Sequence, residues 1–186
     1  MTDTSTRGEV LLCVTGGIAC YKAAFLASRL VQDGCGVSVA MTDAATRFVA
    51  PLTFQTVTAR KVHTTLWPDG QAFSSRHIAL PDQADVVVVA PATANILAKA
   101  ACGIADDLVS TLLLAAGDKP VVVAPAMNTR MWNAPATREN IKTLAARGVH
   151  VVGPAEGRLA CGTTGPGRMA EPDDIHDVIV NLLGNT

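Results

Sequence analysis

The stretch Val86-Val87-Val88-Val89-Ala90-Pro91-Ala92-Thr93-Ala94-Asn95 decides how this chain folds. An apolar run with no polar interruption predicts a strand covered on both faces, because a strand open to water on one side alternates. Pro91 ends the run, and small polar residues follow. The pattern returns at Val121-Val122-Val123-Ala124-Pro125-Ala126-Met127-Asn128. Two central strands therefore bring Ala-Pro and then an asparagine to the same edge of a parallel sheet, the carboxyl edge, where such sheets hold ligands.

Outward from these strands the pattern keeps alternating. Glu9 to Val14 predicts a strand, Thr15-Gly16-Gly17 a turn, and Ile18 to Val31 a helix with Ala23, Leu26, Ala27 and Leu30 on one face. Val37 to Met41 is a second strand. Ala44 to Val49 and Pro51 to Thr58 are short helices, and Lys61 to Leu66 an edge strand. After the first central strand come helices at Thr93 to Ala101 and Ala105 to Ala116, with Asp106 and Asp107 in the first turn of the latter, where carboxylates suit the helix dipole. The second central strand spans Pro120 to Ala124, and Asn128 to Trp132 is one helical turn. A helix from Ala134 to Arg147, a strand from Val149 to Val152 and a helix from Asp173 to Leu183 complete the chain. Residues 153–172, rich in glycine and proline, are expected as a flexible loop. This order predicts one α/β domain over residues 1–186, a three-layer αβα sandwich on a parallel, Rossmann-like or flavodoxin-like sheet.

Composition narrows the function. The apolar fraction is 49% with only 4% aromatics, so the core is built from Val, Ala and Leu, and some apolar surface is expected between subunits. The net charge of -1, with both signs mixed along the chain, gives no footprint for nucleic acid or an anionic membrane. The start lacks a signal peptide's apolar core and no run is long enough to span a bilayer, so a cytoplasmic protein acting on a small molecule is expected. The 5 cysteines contain no C-x-x-C pair, which argues against a disulfide framework or a zinc knuckle.

Several residues stand out for chemistry. The Gly16-Gly17 turn before a helix either cradles a phosphate on backbone amides or makes a tight connection. It is not G-x-G-x-x-G, and no acid follows about twenty residues on, which disfavours a nicotinamide dinucleotide. Thr42-Asp43 either bonds a ribityl chain or caps the following helix. His77 stands just before Ile78-Ala79-Leu80, and Cys161 sits in the glycine-rich segment with Arg158 and Arg168.

These motifs together resemble the homo-oligomeric flavin-containing cysteine decarboxylases. The marks are Thr15-Gly16-Gly17-Ile18, His77-Ile78-Ala79-Leu80, Pro91 to Asn95, and Pro125 to Trp132, the last being the most specific. Gly157 to Gly162, with Cys161, and Gly165 to Met169 match the substrate clamp of the coenzyme A branch. Ala79 stands where that family commonly has glutamate, and Asp107 where it has asparagine, the latter with a possible contact near the flavin.

The resemblance implies an FMN held across a subunit interface. Its contacts would be Gly16, Gly17 and Ile18; Thr42, Asp43 and Ala44; Thr93, Ala94, Asn95 and Ile96; and Ala126. The implied reaction is FMN-dependent decarboxylation of 4'-phosphopantothenoylcysteine to 4'-phosphopantetheine, through thioaldehyde and enethiol stages. The flavin supplies the oxidising power that side chains lack. His77 is the implied acid/base, having an unperturbed pKa near 6.5. Asn128 binds the substrate carboxylate, Met131 shapes the pocket, Cys161 donates a proton, and Arg158, Leu159 and Ala160 belong to the clamp. A homo-oligomer, trimer or dodecamer, and a phosphopantothenoylcysteine synthetase are the implied partners. The rival functions are a lantibiotic-type peptidyl-cysteine decarboxylase, whose family members lack the cysteine, and a non-catalytic regulatory flavoprotein, which usually carries acidic tails.

Overall fold

The computed structural model describes residues 6–67, 76–158, 162 and 164–184, with side chains omitted at 76 and 77. Its centre is a parallel sheet in the order β2 (Gly36–Met41), β1 (Glu9–Val14), β3 (Val86–Ala92), β4 (Val121–Pro125), β5 (His150–Val151). This flavodoxin-like order reverses direction between β1 and β3, which opens a crevice beyond their carboxyl ends.

Side-chain alternation along the central strands separates two cores. Val10, Leu12, Val14, Val86, Val88 and Ala90 face the layer of α1 (Cys20–Gln32), α3 (Pro51–Thr58) and α9 (Pro172–Leu183), meeting Leu26, Phe54 and Ile175. Leu11, Cys13, Val87, Val89 and Ala92 face α4 (Arg76–Gln83), α5 (Ala94–Cys102), α6 (Leu108–Leu114) and α8 (Pro135–Ala146), meeting Leu80, Leu97, Leu112 and Leu144. β3 is buried at every position, as its unbroken apolar run requires. Each such valine contributes roughly 1.5–3 kcal/mol by leaving water.

The short elements α2 (Asp43–Thr46) and α7 (Thr129–Asn133) sit at the carboxyl edge, each opened by a side-chain cap. Thr42 Oγ1 accepts from the Ala45 amide at 3.2 Å, and Asn128 Oδ1 accepts from the Arg130 amide at 2.8 Å.

Three local expectations need correction. Lys61 to Leu66 is not a strand; a single bridge joins His63 to Ala40, with Val62 buried and Leu66 packed partly buried against the core. Asp107 is the N-cap of α6 rather than a first-turn residue, accepting from the Ser110 amide at 2.8 Å. The segment expected as loop contains an antiparallel hairpin of β6 (Ala155–Arg158) and β7 (Thr164–Arg168), paired Gly157 to Gly165 and Arg158 to Thr164. Glycine and proline argue against a strand by propensity, but docking on the Met127 segment of the same chain overrides that preference, as the site shows.

Candidate active site at the carboxyl edge of the sheet

The helices after β1 and β3 leave on opposite faces, so the turns between them flank the crevice. Thr15, buried at the end of β1, donates to the Pro91 carbonyl at 2.6 Å and accepts from the Thr93 amide at 3.2 Å. Thr93 then caps α5, its hydroxyl oxygen accepting from the Ile96 amide at 3.3 Å. Gly16 packs directly on the first turn of α2: a Cβ there would stand 2.5 Å from the Ala44 Cβ and 2.8 Å from its carbonyl carbon.

Beyond these turns lies a cavity of about 620 Å³. Gly16, Gly17, Ile18, Ala19, Tyr21, Lys22, Thr93 and Ala94 wall one side; Ala126, Met127, Asn128 and Met131 another; Arg158, Gly167, Arg168 and Met169 the third. Among the expected flavin contacts, Gly16, Gly17, Ile18, Thr93, Ala94 and Ala126 thus converge, with Ala44 directly behind Gly16. Thr42, Asp43, Asn95 and Ile96 do not line the cavity: Thr42 is a cap, Asp43 pairs with Arg47 at 3.1 Å, Asn95 is exposed and Ile96 packs in the core. Of the expected substrate residues, Asn128, Met131 and Arg158 meet there. Asn128 also caps α7. Leu159, Ala160 and Cys161 lie outside the described residues.

His77 belongs to the first turn of α4, and its side chain lies outside the description. Asp85, just after α4, accepts from the Glu9 amide where β1 begins, so α4 ends at the amino edge. Eight helical residues rise about 12 Å, which carries the backbone of His77 towards the carboxyl edge.

The third wall is docked rather than loosely hung. The Met127 amide donates to the Gly167 carbonyl at 2.9 Å. Gly167, at φ +143°, approaches the Met127 carbonyl so closely that no Cβ fits between them. Lys22, 8% exposed, donates from Nζ to the Met169 carbonyl at 3.3 Å and to Glu171 Oε1 at 2.8 Å. Arg168 Nη2 reaches the same Glu171 oxygen at 3.0 Å. The Lys22 ammonium holds the Glu171 carboxyl below its usual range, and Arg168 adds to that.

Thr15 and Lys22 were not among the sequence-derived site residues, and Arg168 entered only as a member of the glycine-rich clamp motif. Lys22 had a signal: it stands four positions before Leu26 on the buried face of α1, where a charged residue needs a partner. Asp107 pairs with Lys99 at 2.7 Å, so its carboxylate is engaged away from the cavity. Among the other cysteines, burial, with Asp107 adding, pushes the Cys13 thiol up to about 12, and Cys20 and Cys35 are buried. A second cavity of about 250 Å³, bordered by Lys99, Lys119 and Arg147, contains none of the expected site residues.

Residues 2–184 match the family model described as Flavoprotein. The chain belongs to the Flavoprotein family. Its relatives in the Flavoprotein family include the coenzyme A biosynthesis bifunctional protein CoaBC of Bacillus subtilis (strain 168), 51% identical over 90% of this chain and 41% of that protein. CoaBC of Escherichia coli (strain K12) is 46% identical over 92% of this chain and 42% of that protein. The chain therefore spans about two fifths of the length of these curated relatives. Among solved structures, a PPC decarboxylase mutant complexed with pantothenoylaminoethenethiol superposes with TM-score 0.82 at 32% identity, covering 96% of this chain and 99% of that one. The FMN-dependent cysteine decarboxylase SpaF superposes with TM-score 0.83 at 34% identity, covering 96% of each chain.

Proposed function

We propose that this chain decarboxylates 4'-phosphopantothenoylcysteine to 4'-phosphopantetheine with bound FMN, as a step of coenzyme A biosynthesis. The observation that carries this reading is one cavity at the strand-order reversal that joins the Gly16-Gly17 and Thr93 turns to Asn128, Met131 and the β6–β7 hairpin. The likeness to CoaBC proteins and to a PPC decarboxylase supports it.

The residues present fit FMN. The volume lies in the usual range for a ligand pocket, and the glycines and alanines leave a smooth wall for a flat ring. The first turns of α1 and α5 offer amides and the helix dipole to a phosphate. FMN, when bound, supplies a reversible two-electron oxidant. Asn128 is proposed to orient the substrate carboxylate towards the cavity, where departure of carbon dioxide is favoured by exclusion of water. Met131 packs beside the reacting carbons. His77 is proposed to move the proton at the cysteine end, and Cys161 to donate the proton that completes the product. Arg158, Leu159 and Ala160 close over the substrate.

Ile18, Tyr21, Phe25, Phe48 and Leu52 are all more than half exposed, and Ile18 and Tyr21 also line the cavity. That surface supports a homo-oligomer in which a second copy covers the flavin. A phosphopantothenoylcysteine synthetase is the proposed partner, since the curated relatives are bifunctional, and the cytoplasm the proposed location.

The test is incubation of the FMN-loaded chain with 4'-phosphopantothenoylcysteine, with products identified by mass spectrometry. Equal yields of carbon dioxide and 4'-phosphopantetheine are expected. Accumulation of the enethiol alone would overturn the proposed product, and absence of carbon dioxide the proposed activity.

A further inference from the structure

The residues bordering the cavity differ in charge. Gly16, Gly17, Thr93 and Ala94 are uncharged. The hairpin brings Arg158 and Arg168 against Lys22 of α1, and Glu171 is the carboxylate that pairs with Lys22 and Arg168. Arg158 has no ion-pair partner among the described residues, so the wall keeps a surplus of positive charge.

That surplus is built in rather than incidental. Lys22 is nine-tenths buried, a placement that an ammonium accepts only with compensation. Arg168 is seated across the hairpin on Gly157: a Cβ there would stand 2.7 Å from Arg168 Nη1 and 2.9 Å from its Cδ. The glycine therefore clears the guanidinium's path, and Glu171 fixes its other side at 3.0 Å. Arg158, at the far end of β6 from the Ala155–Arg168 pair, lines the same cavity, so two guanidinium-bearing residues border it. Guanidinium pairs suit a phosphomonoester because their planar forks bind two oxygens at once.

We propose that Arg158 and Arg168, backed by Lys22, receive the phosphate of the substrate and so set a preference for phosphorylated over unphosphorylated pantothenoylcysteine. This rests on the decarboxylase reading above. A phosphate could also come from FMN, for which the first turns of α1 and α5 offer helix amides and Thr93 a hydroxyl, and the flavin arm of the experiment separates the two.

The experiment compares FMN-loaded wild type with Arg158→Gln, Arg168→Gln and the double variant on phosphorylated and unphosphorylated pantothenoylcysteine. Each single change is expected to lower kcat/KM for the phosphorylated substrate about tenfold, and the double change about a hundredfold, through KM. The loss on the unphosphorylated substrate should be several-fold smaller than on the phosphorylated one in every variant, and Arg168→Lys should recover part of the loss. The ratio of FMN to riboflavin affinity, measured by flavin fluorescence, should not move.

Equal losses on both substrates would overturn the proposal in favour of a hairpin that merely shapes the pocket. A collapse of the FMN to riboflavin ratio would reassign the wall to the flavin phosphate, and unchanged kinetics would leave a solvated face. Wild type that turns over neither substrate fails the decarboxylase reading instead. The phosphate subsite is then judged by calorimetric binding of the two pantothenoylcysteines, with equal affinities overturning it.

Discussion

The two sides of the cavity are held by different means. The side at Gly16 and Thr93 grows from strand ends and helix starts, fixed by the Thr15 bonds to Pro91 and Thr93 and by buried sheet on both faces. The hairpin side has no such frame; it is attached through Gly167 to Met127 and through Lys22 to Met169 and Glu171. Rigid scaffold thus meets a docked flap, an arrangement in which one side can hold a cofactor while the other yields to substrate entry.

Damage to the two sides should therefore separate. Gly16→Val, the largest expected effect, forces atoms into Ala44 and should abolish flavin retention, seen as loss of visible absorbance in folded protein. Gly167→Ala combines a strained φ with a clash at the Met127 carbonyl. It should lower kcat/KM by about one to two orders of magnitude, as strain of roughly 1–3 kcal/mol implies, while flavin content stays. If Gly167→Ala also bleached the protein, the distinction between frame and flap would be lost.

Acid should act on the flap before the frame. The Glu171 carboxyl is held below its ordinary value of 4.5 in the folded state by Lys22. Its contribution is full above that value and fades as pH falls through the lower folded pKa. Protection of the Gly167 and Met127 amides, followed by hydrogen exchange, should fall in that acid window in wild type and show no such step in Glu171→Gln. A smaller effect is expected from Thr93→Ala: loss of the α5 cap costs about 1 kcal/mol, a lowering of Tm by about 2–4 °C. Smallest is alkylation at mildly alkaline pH, which should mark the exposed Cys102 and leave Cys13, with its thiol near 12, untouched.

The same contrast explains what could be read in advance. Unbroken valine runs and glycine turns leave a periodic signature, so β1, β3, β4 and the crevice between their ends were legible, as were Asn128 and Met131 on the turn after β4. The hairpin was not, because Gly165 and Gly167 are there for close approach to Thr129 and Met127, distant in sequence, and local propensity points away from a strand. Lys22 was overlooked for a related reason: its partner Glu171 lies at the other end of the chain. The expected contacts Asn95 and Ile96 belonged to a motif, but helical geometry turns Ile96 into the core.

The central claim is that the crevice between β1 and β3 holds the flavin. Titration of FMN into flavin-free wild type and flavin-free Gly16→Val, followed by fluorescence, tests it most directly. Saturable binding to wild type at one flavin per chain, with none to the folded variant, is the expected result. Equal binding to both would place the flavin elsewhere and contradict it.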